Sequence, residues 1–137
     1  HIFQVLTKRA ELLLKYSTDL NWTSNIWMGV TVENLNAKKR IDFLRESDAY
    51  VKFLSCEPLL SDLGTINLDK IDWVIVGGES GPGARPIREE WVLDIQDQCK
   101  EENIPFFFKQ WGGVNKKKNG KKIRGVVYQE MPEIVHY

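Results

Sequence analysis

Five short runs of Val, Ile, Phe and Trp punctuate the chain: IFQVLT (2–7), NIWMGVTV (25–32), AYVKFLS (49–55), IDWVIVG (71–77) and IPFFFK (104–109). β-Branched and aromatic side chains suit a pleated backbone, and each run has the length of a strand. Segments with helical spacing lie between several of them. Residues 8–17 place Leu12, Leu13 and Tyr16 on one stripe. Residues 35–46 set Ile41 and Leu44 on one face with charges opposite, and residues 88–102 repeat Trp91, Ile95 and Cys99 after an acidic first turn. The 57–70 link, broken by Pro58 and Gly64, reads as a loop with at most one turn of helix. Strand–helix alternation of this kind predicts an α/β fold of about five parallel strands with crossover helices.

Composition narrows the functions open to such a fold. With 137 residues, 42% of them hydrophobic, the chain can bury one core. Nineteen basic and nineteen acidic residues cancel, so no whole-chain field draws in nucleic acid or acidic lipid. No apolar run approaches the roughly 20 residues of a membrane span. Cys56 and Cys99 form neither a metal knuckle nor a disulfide framework, which suits a reducing, cytoplasmic setting. The chain opens on His1 with a strand-like run at once, and we expect it to be a fragment of a longer protein. His1 and His136 lie at the termini and make poor catalysts there.

Side chains alternate faces along a strand, so parity can be read directly. Three runs end alike, in TVE, SCE and GGE. Glu33 shares a face with Thr31, Gly29 and Trp27. Glu57 shares one with Ser55, Phe53 and Val51, and Glu79 with Gly77, Ile75 and Trp73. Met28, Val30, Leu54, Cys56, Val74 and Val76 then face the helices. On the first run Gln4, Leu6 and Lys8 fall on the glutamate side. On the last, either Lys109 or Gln110 points that way, and alternation does not decide between them. Sites in parallel α/β folds gather at the carboxyl ends of the strands, in a barrel or an open sheet. Three carboxylates converging there above small residues would need Lys8, Lys109, Arg9, Arg85, a metal or a cationic ligand as compensation.

Other features are weaker. VIVGGESGPGARP (74–86) lacks the spacing of a dinucleotide fingerprint and the lysine of a phosphate loop. Pro82 and Pro86 also remove amide donors. Gly77 and Gly78 instead suggest close approach of a ligand or another backbone, and Arg85 is placed to clamp an anion. Trp111 closes the core or walls the site, and both cysteines read as buried, inert thiols. Residues 112–125, GGVNKKKNGKKIRG, read as a solvated hairpin or a mobile excursion, with some capacity for phosphate backbones.

The ordered set FQVLTKR, NIWMGVTVEN, FLSCEPLL, IDWVIVGGESGPGARP and FFFKQWGG resembles an uncharacterised protein family of phages and bacteria, over residues 1 to about 133. That family in turn resembles radical S-adenosylmethionine enzymes with a partial or complete TIM-type barrel and an amino-terminal cysteine cluster for iron–sulfur binding. The resemblance implies that residues 1–111 are part of a (β/α) barrel, with 112–137 a basic loop and carboxyl-terminal tail. It places Glu33, Glu57, Glu79, Lys109 and Gln110 on family motifs. We therefore expect a substrate- or cofactor-binding part of such an enzyme, inactive alone, with Glu57 and Glu79 as catalytic candidates. Lys8, Glu33, Arg85, Lys109 and Gln110 are the ligand-binding candidates. S-adenosylmethionine is the implied cofactor; the iron–sulfur cluster belongs to a full-length parent, and no metal site is expected in this chain. The implied partners are the missing amino-terminal part and, through the open first strand, a second copy. A nucleic-acid or phage-partner binding module, or a hydrolase with the three glutamates as metal ligands, are the competing expectations.

Overall fold

The computed structural model describes residues 1–133. Each apolar run forms a strand: β1 Phe3–Thr7, β2 Ile26–Thr31, β3 Val51–Cys56, β4 Trp73–Val76 and β5 Phe106–Phe108. All pair in parallel, in the order β1-β2-β3-β4-β5. Three crossovers carry helices: α1 Ala10–Tyr16, α2 Lys39–Glu46 and α3 Glu89–Glu101. Their buried residues share one cluster with Met28, Val30, Leu54, Val74 and Val76, so all three pack on the same face. Sequential parallel strands with helices on one side follow the course of an arc of a (β/α) barrel. The opposite face holds Trp27, Phe53, Trp73 and Ile75, with Val51 and Phe107 against them. The two faces separate by the residue parity expected from alternation.

Gly29 shows how tightly that second face is filled. A Cβ there would run into the Phe53 ring, which lies 5.5 Å from Trp73. Trp73 in turn meets Trp27 and Phe107 edge-on, at 5.7 and 6.0 Å. Such offset and edge-to-face pairs are the favoured aromatic geometries.

The crossover from β3 to β4 has no helix among residues 57–72. Leu59, Leu63, Ile66, Leu68 and Ile71 are all buried in the helix-side cluster, so the loop covers the sheet itself. Arg45 ties it down. Its guanidinium donates to the carbonyls of Asp69 (2.8 Å) and Asn67 and pairs with Asp42. Only 8% exposed, Arg45 does not belong to the solvated face expected of α2. Its long side chain serves two loop residues, Asn67 and Asp69, whose carbonyls turn toward α2. In α1 the buried stripe is Ala10 and Leu13 rather than one including Tyr16, which is 49% exposed. The helix runs only from Ala10 to Tyr16, so Tyr16 is its last residue.

The two edges of the sheet differ. Beside β5, residues 128–130 run antiparallel: Phe108 N donates to Tyr128 O (2.8 Å) and Glu130 N to Phe106 O (3.2 Å). The Glu130 carboxylate accepts from Phe106 N at 3.0 Å. No strand covers β1 among the described residues, and Phe3, Val5 and Leu6 are exposed on both its faces.

Residues 112–127 fold back on the carboxyl end of the sheet. They form a single turn, α4 Lys116–Asn119, and a small antiparallel pair, β6 Lys122–Ile123 with β7 Val126–Val127. Ile123 is 2% exposed and joins the main core. The apolar side chain anchors a segment otherwise made of lysine, asparagine and glycine. His136 lies outside the described residues.

Candidate functional site at the carboxyl rim

Beyond β4 and β5 the backbones continue side by side without side chains between them. Gly78 N donates to Gln110 O (2.8 Å), Gly113 N to Glu79 O (2.7 Å) and Gly81 N to Gly113 O (3.0 Å). A Cβ on Gly78 would collide with the Trp111 carbonyl, and one on Gly112 with the Glu79 carbonyl. Backbone cannot step aside as a flexible side chain can, so GGE and WGG need their glycines for this ladder. Gly77 has another use. A Cβ there would lie 2.8 Å from Glu57 Oε2 and 3.0 Å from Gln110 Nε2. Its missing side chain is the space those two groups occupy.

The three rim glutamates have separate fates. Glu33 is 16% exposed and is held by Arg40 of α2, whose Nη1 also donates to Thr31 O at 2.7 Å. Glu79 is gripped at both oxygens by Arg85: Nη2 to Oε2 at 2.7 Å, Nε to Oε1 at 3.1 Å, with the Arg85 backbone N–H adding a third bond at 3.0 Å. The Arg85 hydrogen bonds pull the Glu79 pKa from 4.5 down to about 2. The glycine-rich turn thus returns Arg85 onto Glu79; positive φ at Gly81 and Gly83 allows the reversal. Glu57, just beyond β3, has only Lys109, with Nζ 3.5 Å from Oε2. At that length and angle the ammonium supplies charge without a hydrogen bond, and Oε2 is a buried acceptor without a donor. Leaving a buried acceptor unpaired costs about 1–3 kcal/mol.

Glu57 and Glu79 line one hollow of about 420 Å³, together with Gly78, Lys109, Gln110 and Lys116. The volume suits a small ligand. Both members of the undecided pair reach it: Lys109 faces Glu57, while the Gln110 amide donates to Gly78 O at 2.8 Å. Glu33 and Lys8 are not in its lining, and Lys8 is exposed at the end of β1. Among the described residues, no three of His, Cys, Asp and Glu gather where they could hold a metal ion. Lys116 is the member that sequence reasoning did not single out. Its place depends on the Gly112–Gly113 contact and on Asn119 donating to Gly112 O at 2.6 Å, neither of which has a local sequence signal.

A larger hollow, about 710 Å³, opens at the opposite end of the sheet between α3 and residues 128–133. Of its three carboxylates, Asp97, Glu130 and Glu133, that of Glu130 is occupied by the β5 backbone. Cys99 beside it is buried and its thiol is pushed up to about 12 by desolvation, with Cys56 raised for the same reason. Both are protonated, inert sulfurs at neutral pH.

Five parallel strands with crossover helices define an α/β protein, with a candidate site where polar side chains gather above β3, β4 and β5. The chain belongs to the DUF5131 family, described as a protein of unknown function, whose model matches residues 1–132. No curated protein and no solved structure matches it. The expected membership of an uncharacterised family therefore holds, whereas nothing in these comparisons supports the expected kinship with radical S-adenosylmethionine enzymes. No described helix is long and apolar enough to cross a membrane.

Proposed function

We propose that the rim above β3–β5 is the ligand-binding side of a larger enzyme of the radical S-adenosylmethionine-like kind, and that this chain is inactive alone. The observation behind the reading is Glu57, which lines a hollow together with Lys109 and Lys116 and whose Oε2 is a buried acceptor without a donor. An α-amino-acid group is complementary to it, with the ammonium on Glu57 and the carboxylate toward the lysines. S-adenosylmethionine carries such a group and is the ligand the family resemblance suggests. Given one electron by a reduced iron–sulfur cluster, it would supply a carbon-centred radical and leave methionine. The two cysteines here do not fit a cluster, because both are buried and protonated in the apolar core. We assign cluster binding to another part of the enzyme and derive no step through it.

Within the hollow the two carboxylates have different uses. A general base works best with a pKa near the operating pH. Glu79, at about 2, is a weak base and a positioning group for the 80–85 turn. Glu57 is the group left to accept a proton or a hydrogen bond from the ligand. The exposed edge of β1, with Phe3, Val5 and Leu6, suits a further β/α unit supplied by the preceding part of the enzyme. Self-association of this chain through the same edge is the competing occupant, and sedimentation separates the two.

Titration calorimetry with S-adenosylmethionine tests the reading. Binding is expected to weaken about tenfold or more in Glu57→Gln, which removes a charge-assisted hydrogen bond. It is expected to persist in Glu33→Gln. No heat with the wild-type chain, or equal heats in Glu57→Gln, would overturn it.

A further inference from the structure

Six of the nineteen basic residues and none of the nineteen acidic ones fall within 112–125. That stretch carries a formal +6 in a chain of net zero, so the remainder carries −6. Crowded like charges repel, and a loop with no other task would spread them through solvent. Here the backbone that carries them is held in place. The Trp111 backbone N–H donates to Gly120 O at 3.0 Å and its indole N–H to Lys122 O at 2.8 Å. Asn119 binds Gly112, and Ile123 is buried in the core. Arg124 pairs with Glu89 at 3.1 Å. The other five, all lysines, are exposed and have no carboxylate partner among the described residues. Lys116 also lines the Glu57 hollow.

We infer that the lysine turn at 116–122 binds the phosphates of a single-stranded nucleic acid and leads one nucleotide toward Glu57. Point charges on flexible stems suit a phosphodiester chain. The choice of nucleic acid over a lipid headgroup rests on the reading of Glu57 as the acceptor for an amino-bearing ligand, with a base amine and the α-amino group named above as alternative occupants of that one hollow. A carboxylate such as that of Glu57, which lines the hollow beside Lys116, is the group that accepts from the exocyclic amine of cytosine, and a membrane surface offers nothing comparable. A single strand lets a base enter the hollow without the cost of unpairing it. Trp111 does not contribute a stacking surface, because its ring packs 4.7 Å from Phe108 and its N–H is taken. Binding is therefore mainly electrostatic, with preference confined to the base that meets Glu57.

Fluorescence anisotropy of short labelled DNA and RNA strands, titrated with KCl, tests this. Single strands release about 0.7 counterion per neutralised phosphate, so five lysines give a log–log salt slope of about −2 to −3.5. The Lys116→Gln, Lys117→Gln, Lys118→Gln triple variant should keep its melting temperature, since all three side chains are exposed. It should also bind about tenfold more weakly at low salt, with a slope shallower by about 2. Glu57→Gln should leave the slope intact while weakening cytosine-bearing strands relative to oligothymidylate. No signal at low salt, or an unchanged slope in the triple variant, overturns the proposal. So does preferential capture by phosphatidylserine vesicles, or full displacement by a mononucleotide at millimolar concentration, which would make a lipid or a free phosphate monoester the occupant. The two readings fail separately. If only the Glu57 reading is wrong, the triple variant still changes the slope. If only the lysine turn is wrong, Glu57-dependent calorimetric heats remain while the strands give no signal.

Discussion

Glu33, Glu57 and Glu79 all follow the carboxyl ends of their strands, Glu79 two residues further out in register than Glu57, and Glu33 and Glu79 have each been captured by an arginine that follows closely in sequence. Arg40 comes seven residues after Glu33 and Arg85 six after Glu79, so each capture is local and needs only one helix or turn. Glu57 is followed by a helix-less crossover rich in leucine and meets its cation from β5, at a length that gives charge but no hydrogen bond. Three rim glutamates therefore yield two structural ion pairs and one acceptor without a hydrogen bond. Equivalence along the chain does not make a shared site; what decides is whether the next dozen residues supply a partner.

The largest effect that would break this contrast comes from the glycine ladder. Gly78→Ala drives a methyl into the Trp111 carbonyl, a collision only backbone movement can relieve. We expect a loss of about 3 kcal/mol, at the upper end of overpacking costs, seen as a lower urea midpoint. Gly77→Ala sharpens the contrast. Its methyl meets only the tips of Glu57 and Gln110, which can rotate away. Stability should fall by less than about 1 kcal/mol, but the ligand heat that depends on Glu57 should be lost. Equal stability losses in the two variants would show that the neighbouring glycines do the same job.

Arg85→Gln comes next. With its partner removed, the Glu79 carboxyl should titrate near its ordinary 4.5 instead of about 2, read by carbon-detected NMR of the side chain. A folded-state pKa below the unfolded one stabilises at pH values above the unfolded pKa. The contribution is fully present above about 4.5 and is lost as pH falls toward 2. The wild type should hence lose more stability across that window than the variant does. An unchanged Glu79 midpoint would mean that the 80–85 turn, not the guanidinium, sets its acidity.

Much of this fold is written in periods that a single sequence displays. Strand parity assigned Trp27, Phe53, Trp73 and Ile75 to one face, and Met28, Val30, Leu54, Val74 and Val76 to the other, because alternation is a local rule. The carboxyl rim was legible to the same extent: Glu57, Glu79, Lys109 and Gln110 do line one hollow. What was not legible depends on long-range contact. The covering role of residues 59–71 has no helical spacing to reveal it. Arg45 reads as a surface charge until the carbonyls of Asn67 and Asp69 arrive beside it. Lys116 reaches the rim only because two glycine segments pack backbone against backbone. Glu33 was expected to converge with the others, and Arg40 instead draws it to its own crossover.

That last capture sets the smallest expected effect. The Glu33–Arg40 pair is a half-buried ion pair at 3.2 Å whose arginine retains a second acceptor, Thr31 O, when the carboxylate is neutralised. An ion pair backed up in this way contributes little beyond an exposed one, about 0.5–1 kcal/mol. Glu33→Gln should lower the urea midpoint by only that much and leave both the ligand heat and the strand-binding slope unchanged. A loss of ligand heat in this variant would draw Glu33 back into the site. It would also mean that capture by a neighbouring arginine does not remove a rim carboxylate from function, and the distinction between Glu57 and its two counterparts would fail with it.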